Sequence, residues 1–470
     1  MKRIFALLLT LVMVLSCFSG CGAITKKKVN KSADFVVPEG GYDGSKVTIT
    51  FAHTMGAKLQ ASLEYHIGEF NKLYPNITVT HDTYGGWSDI AGQINTEIIG
   101  GNAPNIAYCY PDHVATYNLS KSVVALDNLI ASTEKAEEEG EGAVLGLTQA
   151  QKDDFIEGFY NEGAVYGDGK MYTMPLSKST EVLYYNKDFF TAHNIQVPTT
   201  WDEMEAVCKQ IKELDPKSVP LGYDSEDNMF ITFCEQYGYP YTSAEGEGAE
   251  HFLFNNDQCK GFVKKLREWH QAGYITTEAI YGSYTSALFT ELNKNNQHSY
   301  MCIGSSGGAS YQIPENNAFE VGVAPIPQAN KDNQKVISQG PSLCILRGAK
   351  TTDQQVVASW LFVKYLTTNA DFQKEFSTVS GYMPVIKSVQ EDAAYKEWLA
   401  GANGRTNLIP LVVQAGLAQQ EAYFTSDAFN GSSTAREEVG LILFHAMSDA
   451  NPDIDKLFKD AYDECVYLAG

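Results

Sequence analysis

Apolar positions along the chain alternate between two periods, and the alternation predicts the elements. Val47, Ile49 and Phe51 interleave with Thr48 and Thr50 as in a strand, and Leu59, Leu63, Ile67, Phe70 and Leu73 then recur at helical spacing. Pro75-Asn76 stops that helix, Ile77 and Val79 alternate again, and Gly85-Gly86 breaks the chain. Ile90, Ile94 and Ile98 mark a second helix before the apolar stretch 105–110. The order β-α-β-α-β predicts a parallel sheet with right-handed crossovers. Such sheets bind ligands at the carboxyl ends of their strands, in loops that here carry His53, Trp87 and Asp112.

Further along, residues 165–172 read as a hairpin turning on Asp168-Gly169, and Val182 to Tyr185 as an apolar strand. Thr200-x-x-Glu203 has capping-box spacing, with Val207, Ile211 and Leu214 on the apolar face behind it, which assigns Trp201 to packing. Helical patterns return over 258–273, 353–367 and 434–448, and 319–323 and 343–346 read as strands. Residues 131–150 are acidic and Gly-rich, a solvated loop. Several crossings between two α/β lobes account for this order.

The first twenty residues belong to a different class. Lys2 and Arg3 precede an apolar run from Ile4 to Leu15 that is too short to anchor in a bilayer, which reads as a secretory leader. It ends in Phe-Ser-Gly-Cys at 18–21, small residues before a cysteine, as in bacterial lipoproteins whose acylated cysteine becomes the new N-terminus. Cys21 is the expected lipidation site, with Cys17 the alternative. A cleaved, freely secreted chain is the other reading. Residues 21–45 are expected to be a tether to the outer face of the cell membrane, with Lys26, Lys27, Lys28 and Lys31 beside anionic lipid heads.

Composition narrows the ligand class. The 470 residues carry a formal charge of −22, which disfavours nucleic acid, because phosphate-backbone binding needs clustered Lys and Arg. Neutral or cationic ligands fit better. Of nine cysteines, seven lie beyond the leader at 109, 208, 234, 259, 302, 344 and 465, with no C-x-x-C pair or Cys/His cluster. They are expected to be unpaired buried thiols, with no metal site or cofactor.

Several segments in order resemble a known family: Val-Thr-Ile-Thr-Phe-Ala-His at 47–53, Gly-Asn-Ala-Pro-Asn at 101–105, Tyr-Thr-Met-Pro-Leu at 172–176 and Val-Leu-Tyr-Tyr-Asn-Lys-Asp at 182–188. Pro-Thr-Thr-Trp at 198–201, Gly-Val-Ala-Pro-Ile-Pro at 322–327 and Gly-Tyr-Met-Pro at 381–384 follow. Together they resemble the extracellular solute-binding proteins of ABC importers, which include maltose and glycerol-3-phosphate binders. The resemblance, over about residues 45–448, implies two α/β lobes joined by hinge crossings around a central cleft. It also implies a monomeric receptor that hands a solute to a membrane permease. Expected boundaries are a leader at 1–20, a first lobe from 46–155 and 299–347, and a second from 156–298 and 348–470.

Against the glycerol-3-phosphate branch, the resemblance assigns ligand contacts to Trp87, Asp112 (or its neighbour Pro111), Ser179, Ser306, Gly307, Gly340 and Tyr382, with His53 added from its strand end. The basic residue that branch places near the chain end for phosphate has no counterpart within Tyr-Phe-Thr-Ser-Asp-Ala-Phe-Asn at 423–430, and Arg405 and Arg436 sit off the match. A neutral mono- or oligosaccharide is therefore expected, with Asp112 accepting hydroxyl bonds and Trp87 and Tyr382 offering flat faces. Trp87 and Tyr382 could equally fill a core, His53 could be structural, and either Asp112 or His113 could point inward. Lys178 reads as a solvated lysine. Glycerol-3-phosphate or phosphodiester uptake and a non-transport adhesive lipoprotein are the alternatives. No zinc-protease motif or P-loop is present, and the Gly-Ser-Ser-Gly-Gly run at 304–308 reads as a ligand loop, so no enzyme is expected.

Overall fold

The computed structural model describes residues 35–136, 144–166, 168–291 and 298–469. The leader and Cys21 lie outside them. Two mixed sheets organise the chain. In the first, β1 (Val47–His53), β2 (Ile77–Thr83), β3 (Ile106–Cys109), β4 (Thr173–Pro175) and β11 (Ser342–Ile345) stand in the order β2-β1-β3-β11-β4. The first three are parallel, with Val47 opposite Ile77 and Phe51 opposite Ile106, and β11 runs antiparallel to both β3 and β4. Helices α1 (Ala57–Leu73) and α2 (Trp87–Gly100) make the crossovers, as the apolar periodicity predicts, and α3 (Pro111–Asn118) follows β3.

The second sheet is built on β5 (Ser179–Asn186), whose eight residues reflect burial on both faces. Around it stand β6 (Leu221–Tyr223), β7 (Ile275–Thr277), β8 (Met301–Ser305), β10 (Val336–Gln339) and β12 (Tyr423–Phe424), in the order β12-β10-β5-β8-β6-β7. Strand β9 (Val321–Pro325) also pairs with β5. Helix α4 (Trp201–Leu214) starts at the expected capping box, Thr200 Oγ1 accepting from Glu203 N–H at 3.2 Å. Trp201 is buried and donates Nε1–H to Gln236 at 2.7 Å, a packing role. The remaining helices used below are α5 (Glu226–Tyr237), α6 (Asp257–Gln271), α7 (Asp353–Thr368), α8 (Ala370–Ser380), α9 (Leu408–Ala418), α10 (Ser432–Ser448) and α11 (Ile454–Ala469).

Three expectations are corrected. Residues 165–172 form no hairpin among those described. Tyr172 Oη donates to Asp168 at 2.6 Å to hold a turn, and the strand that follows pairs with distant β11. Within the expected 21–45 tether, the described residues 35–45 are not a free linker, because Phe35 and Tyr42 are buried in the first core and Asn128 Nδ2 donates to the Phe35 carbonyl. The lobe boundaries also move. Strand β8 hydrogen-bonds β5 and β6, which puts 299–339 with the second sheet, while α7 and α8 supply Trp360, Phe362, Phe372 and Phe376 to the first core. Phe362 packs edge-on against Phe51 of β1, and that apolar match draws the segment after β11 back to the first sheet.

The chain crosses between sheets at 176–178 (β4 to β5), at 340–341 (β10 to β11) and again before α9, where the Gly404 carbonyl accepts from Val321 N–H of β9 at 2.9 Å. Gly340 has φ +95°, and an added Cβ would lie 2.7 Å from the Ser177 carbonyl and 2.8 Å from the Ser179 amide. Only glycine lets the two crossings touch there. Beside them Lys178 is not solvated but fully buried, its Nζ 2.5 Å from Glu162 Oε1. The second Glu162 oxygen accepts from Ser338 and Thr425 at 3.1 and 3.2 Å, and Nζ also reaches Ser342 at 3.4 Å. One buried ion pair thus ties two crossings to the segment after β12.

Candidate functional site

Beside the crossings, between the sheets, lies a cavity of about 790 Å³. From the first sheet's side its wall comes from the two strand-end loops that the topology selects. Gly86 N–H donates to Asp89 at 2.8 Å, which starts α2 at Trp87 and puts the indole at the wall. The indole stacks on Tyr110 with centroids 4.2 Å apart and planes at 19°, and more loosely on Tyr108 at 5.9 Å. Pro111 opens α3, where its missing N–H costs nothing, so Asp112 sits in the first turn near the positive helix end. Tyr117, one turn further on, lines the cavity with its hydroxyl buried and unpartnered.

From the second sheet's side come Glu226, Asp227 and Asn228 at the start of α5, Ser338 and Gln339 of β10, Thr425 and Ser426 after β12, and Arg436 and Glu437 on α10. Arg436 is the bridge. Its Nε donates to Asp112 Oδ2 at 2.9 Å across the cleft, while Nη1 donates to Asn228 at 2.6 Å and Asp227 at 3.3 Å, and Nη2 reaches Ser426 at 3.4 Å. Burial works to raise the Asp112 carboxyl, but Arg436 and His113 outweigh it and hold it below the usual carboxylate range. Burial drives the His113 imidazole the other way, down and neutral, despite Asp112. Among the described lining residues, four carboxylates therefore face one guanidinium. Burial, with Asp112 and Asp227 next to it, pushes the Glu437 carboxyl up.

Two of the eight expected ligand residues, Trp87 and Asp112, line this cavity. Ser179 opens β5 opposite Gln339, next to Gly340 at the crossing. Ser306 is buried, its Oγ accepting from Thr180 N–H at 3.2 Å, so it fastens a loop to β5. Gly307 lies flat against the Tyr382 ring, where an added Cβ would be 2.6 Å from Cζ. Tyr382 also packs at 5.8 Å from Phe376. These residues gather around the crossings rather than on the cavity wall. His53 is corrected to a structural group: it is fully buried, its Nδ1 accepts from Met55 N–H at 3.1 Å, and its Nε2 pairs with His81 at 3.0 Å. Burial and then His81 lower its pKa to about 4, so it stays neutral. The neighbour question at 112–113 resolves in favour of both, since both reach the wall.

Arg436 is the residue that motif matching set aside. A signal was present in the sequence: it is the sole Lys or Arg between Arg405 and Lys456, on a helix whose next two residues are Glu437 and Glu438. Sequence spacing could not pair it with Asp112, 324 positions away.

A family model for bacterial extracellular solute-binding proteins matches residues 67–402. The chain belongs to that family. This solute-binding protein is 25% identical over 389 residues to the sn-glycerol-3-phosphate-binding periplasmic protein UgpB of Escherichia coli K12, covering 79% of this chain and 83% of that one. Its fold is similar to that of Mycobacterium tuberculosis UgpB in complex with glycerophosphocholine, with TM-score 0.69 and 19% identity over 90% of this chain and 98% of that one. The acarbose-binding GacH receptor of Streptomyces glaucescens matches with TM-score 0.68 and 17% identity over 89% and 98%. The two-lobed periplasmic-binding-protein architecture expected of the family is therefore the one present.

Proposed function

We propose that this solute-binding protein captures a neutral mono- or oligosaccharide in the cleft between its lobes and delivers it to the permease of an ABC importer. One observation carries the choice of ligand: the cavity's guanidinium, Arg436, is already engaged by Asp112 and Asp227, and Glu226 and Glu437 leave the wall with excess negative charge. An anionic phosphate entering there would have to displace a carboxylate from Arg436 and sit near three others. Sugar hydroxyls instead donate to carboxylate oxygens, and their apolar faces suit Trp87. The sugar ligands of relatives such as GacH point the same way.

Glycerol-3-phosphate or a phosphodiester is the second reading, favoured by Arg436 on the cavity wall and by the kinship with UgpB. Isothermal titration of the purified chain with maltooligosaccharides, other neutral sugars, glycerol-3-phosphate and glycerophosphocholine separates the two. Saturable heat with a neutral sugar and none with glycerol-3-phosphate is expected; the reverse overturns the carbohydrate reading. Attachment through Cys21 to the outer face of the membrane is part of the proposal. Cys21→Ala should move the chain from the membrane fraction to the medium.

A further inference from the structure

Seven buried cysteines are free thiols among the described residues, and two of them touch. Cys234, two turns into α5, and Cys259, in the first turn of α6, bring their Sγ atoms to 3.6 Å. That is van der Waals contact between thiols, about 1.6 Å beyond a disulfide bond length. Both side chains lie in the second core. Cys109 and Cys344 are the other neighbouring pair, side by side on adjacent strands. Cys109 opposes Ser342 and Cys344 opposes Ala107, so those two are diagonal across β3 and β11, and each donates its S–H to a main-chain carbonyl.

The two thiols of the touching pair are unequal. Asn256 Oδ1 accepts from Cys259 N–H at 2.9 Å, which places the Cys259 sulfur at a helix start, where a thiolate is favoured. Contact with Cys234 lowers the Cys259 pKa, while burial drives that of Cys234 well up. Cys259 is the attacking sulfur.

We propose that Cys234 and Cys259 are a thiol–disulfide pair that closes when the exported chain meets a low-molecular-weight disulfide, stapling α5 to α6. The Cys259 thiolate attacks one sulfur of the oxidant and expels its first thiol. Cys234 then gives up its proton and attacks Cys259 Sγ, expelling the second thiol. Two protein thiols are oxidised and one disulfide is reduced to two thiols. Because both sulfurs are shielded in the folded lobe, exchange belongs to the assembly of the lobe or to its local opening. The position matters for binding, since the first turn of α5 carries Glu226, Asp227 and Asn228 on the cavity wall.

The test is to unfold the chain, refold it in buffers from fully reduced to fully oxidised glutathione, quench with acid, alkylate and map peptides by mass. In oxidised glutathione one cross-linked species should dominate, joining the peptides of Cys234 and Cys259, with the other five core thiols alkylated. Closing a loop across 25 positions should also raise the melting temperature by several degrees relative to the reduced chain. Cys234→Ser should abolish both the cross-link and that difference, and Cys208→Ser should abolish neither. Seven alkylated thiols in oxidised glutathione, or cross-links spread over other cysteines, would overturn the proposal. Loss of ligand binding in the titrations above would leave it untouched.

Discussion

Replacing Arg436 by Met tests whether the cleft is held together by one guanidinium. The change keeps the aliphatic stem and removes the charge, leaving Asp112, whose side chain is 5% exposed, with the His113 amide at 3.0 Å as its remaining protein donor. Breaking a buried pair from one side costs about 3–5 kcal/mol. The low end, about 3 kcal/mol, applies, because the Arg436 side chain keeps 19% exposure and water can enter in its place. The pH dependence has a definite sign. With Arg436 present the folded-state pKa of Asp112 is depressed, so its contribution is fully present above the unfolded carboxylate value and fades as pH falls through the folded one. In the variant burial is opposed only by His113, the carboxyl rises, and protonation relieves the penalty. Denaturant melts followed by tryptophan fluorescence should therefore show the gap between parent and variant at its widest near pH 7 and narrowing toward pH 4. Small-angle scattering should show the ligand-free variant opened, since the broken bond spans the two lobes. A gap below about 1 kcal/mol at pH 7, or one equal at pH 7 and pH 4, would refute the reasoning.

The Lys178–Glu162 pair should behave as a buried clasp: Lys178→Met is expected to destabilise the chain by about 3–5 kcal/mol, and Lys178→Met with Glu162→Gln by clearly less, read from the same melts. Glu181 of β5, buried with Tyr223 Oη donating to it at 2.5 Å, has its pKa raised to about 8, chiefly by burial. A raised carboxyl stabilises below its unfolded value and loses that contribution as pH climbs to the folded one. Stability should thus fall between about pH 4.5 and 8, and Glu181→Gln should flatten that slope. Trp87→Ala should weaken sugar binding at least tenfold in titration calorimetry with the melting curve little changed, as for an aromatic anchor in a cleft; unchanged affinity would remove the indole from the site.

The elements were legible where the period of apolar positions was long and the signals at their ends were strong. The first three strands and two helices follow from Ile, Leu and Phe spacing punctuated by Pro75 and Gly86, and α4 follows from Thr200 and Glu203. The 165–172 hairpin failed because an Asp-Gly turn is a local signal, whereas β4 is recruited by β11 some 170 positions later. The tether was drawn too long because its two buried rings, Phe35 and Tyr42, are single residues without a period.

Strand-end position and the family resemblance both pointed to Trp87 and Asp112, which line the cavity, because strand order in a parallel sheet fixes which ends converge. His53 shares that position, yet its side chain points into the core and pairs with His81. Lys178 looked like any surface lysine until the crossing brought Glu162 to it.

The amino-acid sequence by itself determined that this is an acidic α/β protein of an extracellular solute-binding family, since composition, hydropathy period and ordered motifs are local properties of the chain. Tertiary structure alone decided which segments belong to which lobe, that Arg436 bridges to Asp112, and that one buried pair fastens two crossings to the segment after β12. Those facts depend on contacts between residues tens to hundreds of positions apart. Burial then sets the energy of each charge by what surrounds it rather than by what adjoins it in the chain.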